Sequence, residues 1–248
     1  MCDVPKKAVE VGHLNRRSFL KVPAAAAAVG LIGGNLCWSV ARGDSLTKEQ
    51  RDKMTPDEIL TEMKHGNEHF RTGEHSKRDY LAEQKASAKG QFPVAVILSC
   101  IDSRAPAEVI MDLGIGNVFN CRVAGNISNE DILGSMEFAC KVAGAKVVLV
   151  MGHTACGAIK GAIDNVELGN LTTLLAKIRP AVKATEFDGE RSSKNPKFVN
   201  AVAKKNVELT MAQILEKSSV LRDLQKKAAI SVAGAMYDLD TAAVEFFA

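Results

Sequence analysis

Two clusters in this chain carry side chains able to hold a metal ion: Cys100-Ile101-Asp102-Ser103-Arg104 and, further on, His153-Thr154-Ala155-Cys156. Two soft thiolates and an imidazole suit zinc, whereas magnesium or calcium would call for oxygen ligands. Cys100, His153 and Cys156 are therefore the expected ligands. Three protein ligands leave a fourth position open, the arrangement of a catalytic zinc rather than a closed structural one. His153 and Cys156 are three apart at the mouth of an expected helix over 156–163, so one turn brings both to the same side. Gly152 and Gly157 flank them and permit close backbone approach. Ordinary buried thiols are the plain alternative for Cys100 and Cys156. A redox dithiol is disfavoured because no Cys-x-x-Cys occurs.

The elements that must position these residues are legible around them. Val94–Ser99 and Lys146–Met151 are short apolar runs rich in β-branched residues, the pattern of strands covered on both faces. Each metal cluster follows such a run directly, where the carboxyl ends of strands in an open α/β sheet form the ligand crevice. Further strands are expected at 118–122 and 230–237, and helices at 56–71, 130–142, 171–184 and 197–217. Strands alternating with helices imply an α/β fold with a mostly parallel central sheet and flanking helices. The polar segment 187–196 reads as a loop. Asp102 and Arg104, two apart on the loop leaving the first strand, can form a bidentate ion pair. Pairing would keep Asp102 ionised, able only to accept a hydrogen bond from a water on the metal. Alternatively, Asp102 could swing onto zinc as a fourth ligand and close the site.

At these residues the chain resembles the β-class carbonic anhydrases. Cys100-x-Asp102-Ser103-Arg104 and His153-x-x-Cys156-Gly157 look like the two zinc signatures of that family. Arg122-Val123-Ala124-Gly125-Asn126, Gly66–Phe70 and Val232–Asp240 extend the resemblance over roughly residues 55–247. It implies one zinc ion per chain and reversible hydration of carbon dioxide to bicarbonate and a proton, by attack of zinc-bound hydroxide on carbon dioxide, with Asp102 and Arg104 catalytic. It also places Gln91 as a substrate-binding amide, Phe119, Phe138 and Ala124 as pocket wall, and Gly157 as a further substrate-binding residue. Ile97 stands where some bacterial members carry the tryptophan of a noncatalytic bicarbonate site, so that mode of regulation is not implied. The resemblance further implies a homodimer or higher homo-oligomer, with N-terminal helices packing on a partner subunit because Thr55–Phe70 has no obvious sheet of its own to cover.

Zinc lowers the pKa of bound water from about 16 to about 7, though two thiolates should leave it less acidic than three histidines would. Activity is therefore expected to favour mildly alkaline pH. No proton shuttle stands out: His65, His69 and His75 are left outside the site. Two other functions compete: hydrolysis of carbonyl sulfide or carbon disulfide on the same fold, and a catalytically silent zinc-binding protein.

The first 41 residues are expected to be an export signal. Asn15–Lys21 carries Arg16-Arg17 and Phe19-Leu20-Lys21, the run from Val22 to Gly34 is apolar, and Ser39-Val40-Ala41 offers small residues for cleavage. This resembles a twin-arginine signal, which implies transient engagement of export machinery and a periplasmic location. Cys2 and Cys37 would leave with it. Cys121 and Cys140 lie in apolar segments and read as buried free thiols, although pairing is open. Residues 42–248 suffice for one domain with a substantial core. A hydrophobic content of 46% and a formal charge of +3 fit a globular enzyme and give no footprint for nucleic acid.

Overall fold

The computed structural model describes residues 45–247, so the expected signal, its cleavage position, Cys2 and Cys37 lie outside the described residues. In chain order the elements are α1 (Lys48–Lys53), α2 (Pro56–Thr72), α3 (Tyr80–Ser87), β1 (Ala95–Ser99), α4 (Ala107–Ile110), β2 (Val118–Arg122), α5 (Glu130–Glu137), β3 (Val147–His153), α6 (Gly157–Ile163), α7 (Gly169–Ala176), α8 (Arg179–Ala184), α9 (Pro196–Lys217), α10 (Ser219–Lys226), β4 (Ser231–Tyr237) and β5 (Val244–Phe247). The strands form one sheet in the order β2-β1-β3-β4-β5. All pairs are parallel except β4 with β5. The expected mostly parallel sheet is thus observed, with an antiparallel edge strand that the sequence pattern did not signal.

Every residue of β1 and β3 is buried, because successive side chains point to opposite faces and both faces are covered. Val96, Leu98, Val148 and Val150 join a core with Val199, Val202 and Val207 of α9. Ala95, Ile97, Val147, Leu149 and Met151 join a second core with Ile59 and Met63 of α2 and Ile110 of α4. Those two α2 side chains are fully buried, each contributing about 1.5–3 kcal/mol.

This corrects the expectation for α2: the helix covers a sheet face of its own chain. Its Thr55–Glu58 capping box and Pro56 in the first turn fix where it begins. Gly66 lies so close to the Met111 carbonyl that a Cβ would overlap it. Next to it, buried Asn67 donates to the carbonyls of Ile110 (3.2 Å) and Ala242 (3.0 Å) and accepts from Val244 N–H (2.9 Å). A polar network ties the same region together. Asp112 accepts from the Ser76 N–H (3.0 Å) and hydroxyl (2.6 Å), with Arg78 Nε and His69 Nδ1 each 3.5 Å away. Glu83 accepts from Arg78 (3.0 Å) and from Ile115 N–H (2.9 Å).

Two expected helices differ in detail. The 171–184 stretch is split into α7 and α8, because Pro180 lacks an N–H and clashes with the preceding turn. The 130–142 stretch begins as α5 from the Asn129 cap but finishes in a π-helical turn, Phe138–Val142.

Candidate metal centre

The carboxyl ends of β1 and β3 are adjacent in register, Ser99 lying opposite Met151. Cys100 therefore leaves one strand beside His153, the last residue of the other. Cys156 caps α6, and its backbone turns there through Ala155 at a left-handed φ of +55°. One ligand atom each from Cys100, His153 and Cys156 falls within 4.8 Å of the others, all three residues being buried. The two sulfurs are 3.9 Å apart, close to the edge of roughly 3.8 Å that Zn–S bonds of about 2.3 Å would span in a tetrahedron.

The histidine is already oriented. Its Nδ1–H donates to the Thr154 carbonyl (2.9 Å), which leaves the lone pair on Nε2. That Nε2 is buried and has no hydrogen-bond partner among the described residues. An orphaned buried nitrogen is costly unless something satisfies it, and a metal ion between the sulfurs would do so. The donor set and the orphan nitrogen thus fit a metal ion. Within the thiol pair, Cys100 is drawn well below an ordinary thiol, chiefly by the proton Cys156 donates to it, against the effect of burial. The Gly125 N–H supports the same thiolate from 3.3 Å. Cys156 is pushed up because it gives that proton, and burial adds to the effect; the N–H groups of Ile159 and Ala158 oppose it.

Asp102 and Arg104 form the expected fork: Nε donates to Oδ1 (2.9 Å), Nη2 to Oδ2 (2.8 Å), and the Arg104 N–H to Oδ1 (3.0 Å). These bonds hold the carboxylate well below the usual range, against a smaller opposing effect of burial. Asp102 Oδ2 lies 3.9 Å from His153 Nε2. The carboxylate is thus held beside the ligand atoms with both oxygens on Arg104, and closing onto a metal would require surrendering part of the fork.

The other expected site residues divide in two. Ala124 is half-buried in the short 3₁₀ turn 124–126, whose Gly125 supports the Cys100 sulfur, and Gly157 opens α6 directly after Cys156. Both lie at the triad. Gln91 does not: it precedes β1, in a recess with Ser87 and Gly116. Five residues of β1 separate that end of the sheet from Cys100, roughly 15 Å. Phe119 and Phe138 pack edge to face, with centroids 6.2 Å apart. They line a cleft of about 680 Å³ to which no metal-ligating residue of the same chain contributes.

One contributor was not singled out from sequence. Arg122 donates to the carbonyls of Cys100 (2.9 Å) and Asp102 (2.6 Å), bracing the loop that carries both. Its place in the Arg122–Asn126 segment was a signal that could have found it. Cys121 and Cys140 are free thiols, as expected, but only Cys140 is buried; Cys121 is half-buried.

Residues 95–244 match the carbonic anhydrase family. The chain belongs to that family. Carbonic anhydrase 2 of Mycobacterium tuberculosis is 31% identical over 184 residues, covering 72% of this chain and 86% of that relative. The carbonic anhydrase of Mycolicibacterium smegmatis is 28% identical over 189 residues, covering 74% and 89%. In fold, the β-carbonic anhydrase of Aspergillus fumigatus superposes with a TM-score of 0.58 at 25% identity, over 77% of this chain and 89% of that one. A tetrameric β-carbonic anhydrase of Sordaria macrospora gives 0.57 at 23% identity, over 77% and 92%. The carbonic anhydrase fold is therefore present here, together with a Cys100, His153 and Cys156 cluster that could hold a metal ion.

Proposed function

We propose that this carbonic anhydrase family member hydrates carbon dioxide reversibly to bicarbonate and a proton, with one zinc ion held by Cys100, His153 and Cys156. One observation carries the reading: three buried ligand atoms converge, and the fourth direction is guarded by a carboxylate already committed to an arginine. Zinc there supplies a Lewis acid that brings the pKa of water toward neutrality. The protein's own residues do the rest. Asp102, kept ionised by Arg104, can only accept a hydrogen bond, so it turns the reacting water's remaining lone pairs toward substrate. Arg122 fixes the backbone at Cys100 and Asp102 so that ligand and acceptor keep their separation. Ala124 and Gly157 carry no polar side chain that would compete for a small apolar substrate.

Gln91 and the Phe119–Phe138 pair would serve this chemistry from a second copy of the chain. The distance of Gln91 from the triad within one chain, and a Phe119–Phe138 cleft lined by none of the triad residues, support that reading, and a homodimer or larger assembly follows from it. Residues 1–41 would act as the export signal that takes the enzyme to the periplasm; the Arg16-Arg17 pair and the apolar run after it support this.

Stopped-flow hydration of carbon dioxide by the zinc-loaded chain, at neutral and alkaline pH, tests the activity. Hydration rising with pH at one zinc per chain is the expected outcome. A zinc-replete chain that hydrated nothing would overturn it, and turnover of carbonyl sulfide or carbon disulfide instead would redirect it.

A further inference from the structure

Helix α9 meets the metal centre at three points, one behind each ligand, and supplies none of the ligands itself. Asn206, 3% exposed, donates from Nδ2 to the Gly125 carbonyl (2.8 Å), and Gly125 in turn donates its N–H to the Cys100 sulfur. Val207 lies against Gly152, the residue before His153. A Cβ at Gly152 would stand 2.8 Å from Val207 Cγ2 and 3.6 Å from the Ala203 carbonyl. Asn200 Oδ1 accepts from the N–H of Ala155 (3.1 Å), the left-handed residue before Cys156. Positions 200, 203 and 207 recur at three- and four-residue spacing, so one face of one helix makes these contacts. The partners fix both amide orientations, since a carbonyl needs the Asn206 NH₂ and an N–H needs the Asn200 oxygen.

We propose that α9 is the positioning element of the metal centre: Asn206 and Asn200 set where the Cys100 and Cys156 sulfurs stand relative to the His153 imidazole, and thereby set zinc affinity. The inference rests on the assignment of those three residues as metal ligands. Both asparagines are positioning residues, since they touch neither ligand atoms nor substrate. Gly125 has a φ of +67° and Ala155 one of +55°. The second is a conformation an alanine rarely adopts unless its surroundings impose it. Without the Asn200 oxygen the Ala155 peptide is free to turn over, carrying Cys156 with it. Without the Asn206 amide the Gly125 carbonyl loses its donor, and the N–H that steadies the Cys100 thiolate loses its fixed direction. The helix does not need either amide to stay in place, because Phe198, Val199, Val202, Val207 and Ile214 bury its apolar side.

The test measures zinc affinity by chelator competition, and the thiolate-to-cobalt charge-transfer band with Co²⁺, on the full-length chain and its variants. Asn206→Ala and Asn200→Ala should each weaken zinc binding about 10–100-fold, the range found for groups that orient metal ligands, and shift or weaken the cobalt band. The metal-free variants should still melt cooperatively as folded proteins, at a somewhat lower temperature because each leaves a backbone group without its partner. Aspartate separates positioning from packing. Asn200→Asp keeps the acceptor and should retain wild-type affinity, whereas Asn206→Asp, assayed at a pH where its carboxyl is ionised, has no donor and should bind no more tightly than Asn206→Ala. The Asn200 pair carries the test alone if the Asn206 variants fail to fold. Wild-type zinc affinity and an unchanged cobalt band in both alanine variants would overturn the proposal, as would equal effects of aspartate at the two positions. A wild-type chain that bound no zinc would instead overturn the ligand assignment, and the proposal with it.

Discussion

The Asp102 carboxylate hydrogen-bonds to neither thiolate nor imidazole, so removing it separates metal binding from turnover. Asp102→Ala should keep about one zinc per chain while hydration falls about 10–100-fold; zinc assay and stopped-flow rates on one sample check both halves. Cys100→Ala should lose the metal itself, and retention of stoichiometric zinc would remove Cys100 from the ligand set. The Asp102–Arg104 fork was legible in sequence because its partners are two residues apart on one loop, where local geometry decides the contact. Cys100 and Cys156 were legible because each follows an unmistakable buried strand. Asn206 was not: its contact to Gly125 spans 81 positions, and an asparagine in a helix carries no sign of which distant carbonyl it will meet.

Among the elements, α2 offers the sharpest test of packing. Gly66→Ala would drive a methyl group into the Met111 carbonyl, a backbone atom that cannot step aside. The expected loss is about 1–3 kcal/mol or more, read by denaturant unfolding and independent of protein concentration because α2 docks on its own chain. The Asp112 network that joins α2 and α3 to the segment before β2 predicts a pH signature. Burial raises the Asp112 pKa, but the Ser76 hydroxyl and N–H together with Arg78 and His69 outweigh it, so the carboxyl lies below its ordinary value. A depressed folded-state pKa contributes stability that is present above the unfolded-state value, about 3.9, and is lost as pH falls below it. Asp112→Asn tolerates the same left-handed backbone, φ +49°. It should cost about 1–3 kcal/mol near neutrality, and its melting temperature should converge with the wild type's below about pH 4. At this scale sequence pattern located the four parallel strands and α9, whose periodicities run long enough to show. It missed β5, a four-residue edge strand with little alternation, and it left α2 without a sheet because amphipathicity marks a buried face without saying what buries it.

For the whole molecule, the position of Gln91 at the far end of β1 predicts complementation between subunits. Gln91→Ala and Asp102→Ala should each be nearly inactive alone. Mixed and allowed to exchange subunits, they should recover about a quarter of wild-type activity, since half the two-fold dimers are mixed and each has one intact site. No recovery in demonstrably mixed dimers would place Gln91 outside the partner's site. The sheet has a separate consequence. Both sulfur ligands belong to the core on its α9 side, while α2 packs into the other core across the strands. Conservative changes in the core on the α2 side, such as Ile59→Val, should lower the melting temperature yet leave zinc affinity untouched. The strands thus act as a bulkhead: descendants of this sequence can drift in one compartment, trading robustness up or down, without retuning the chemistry held in the other.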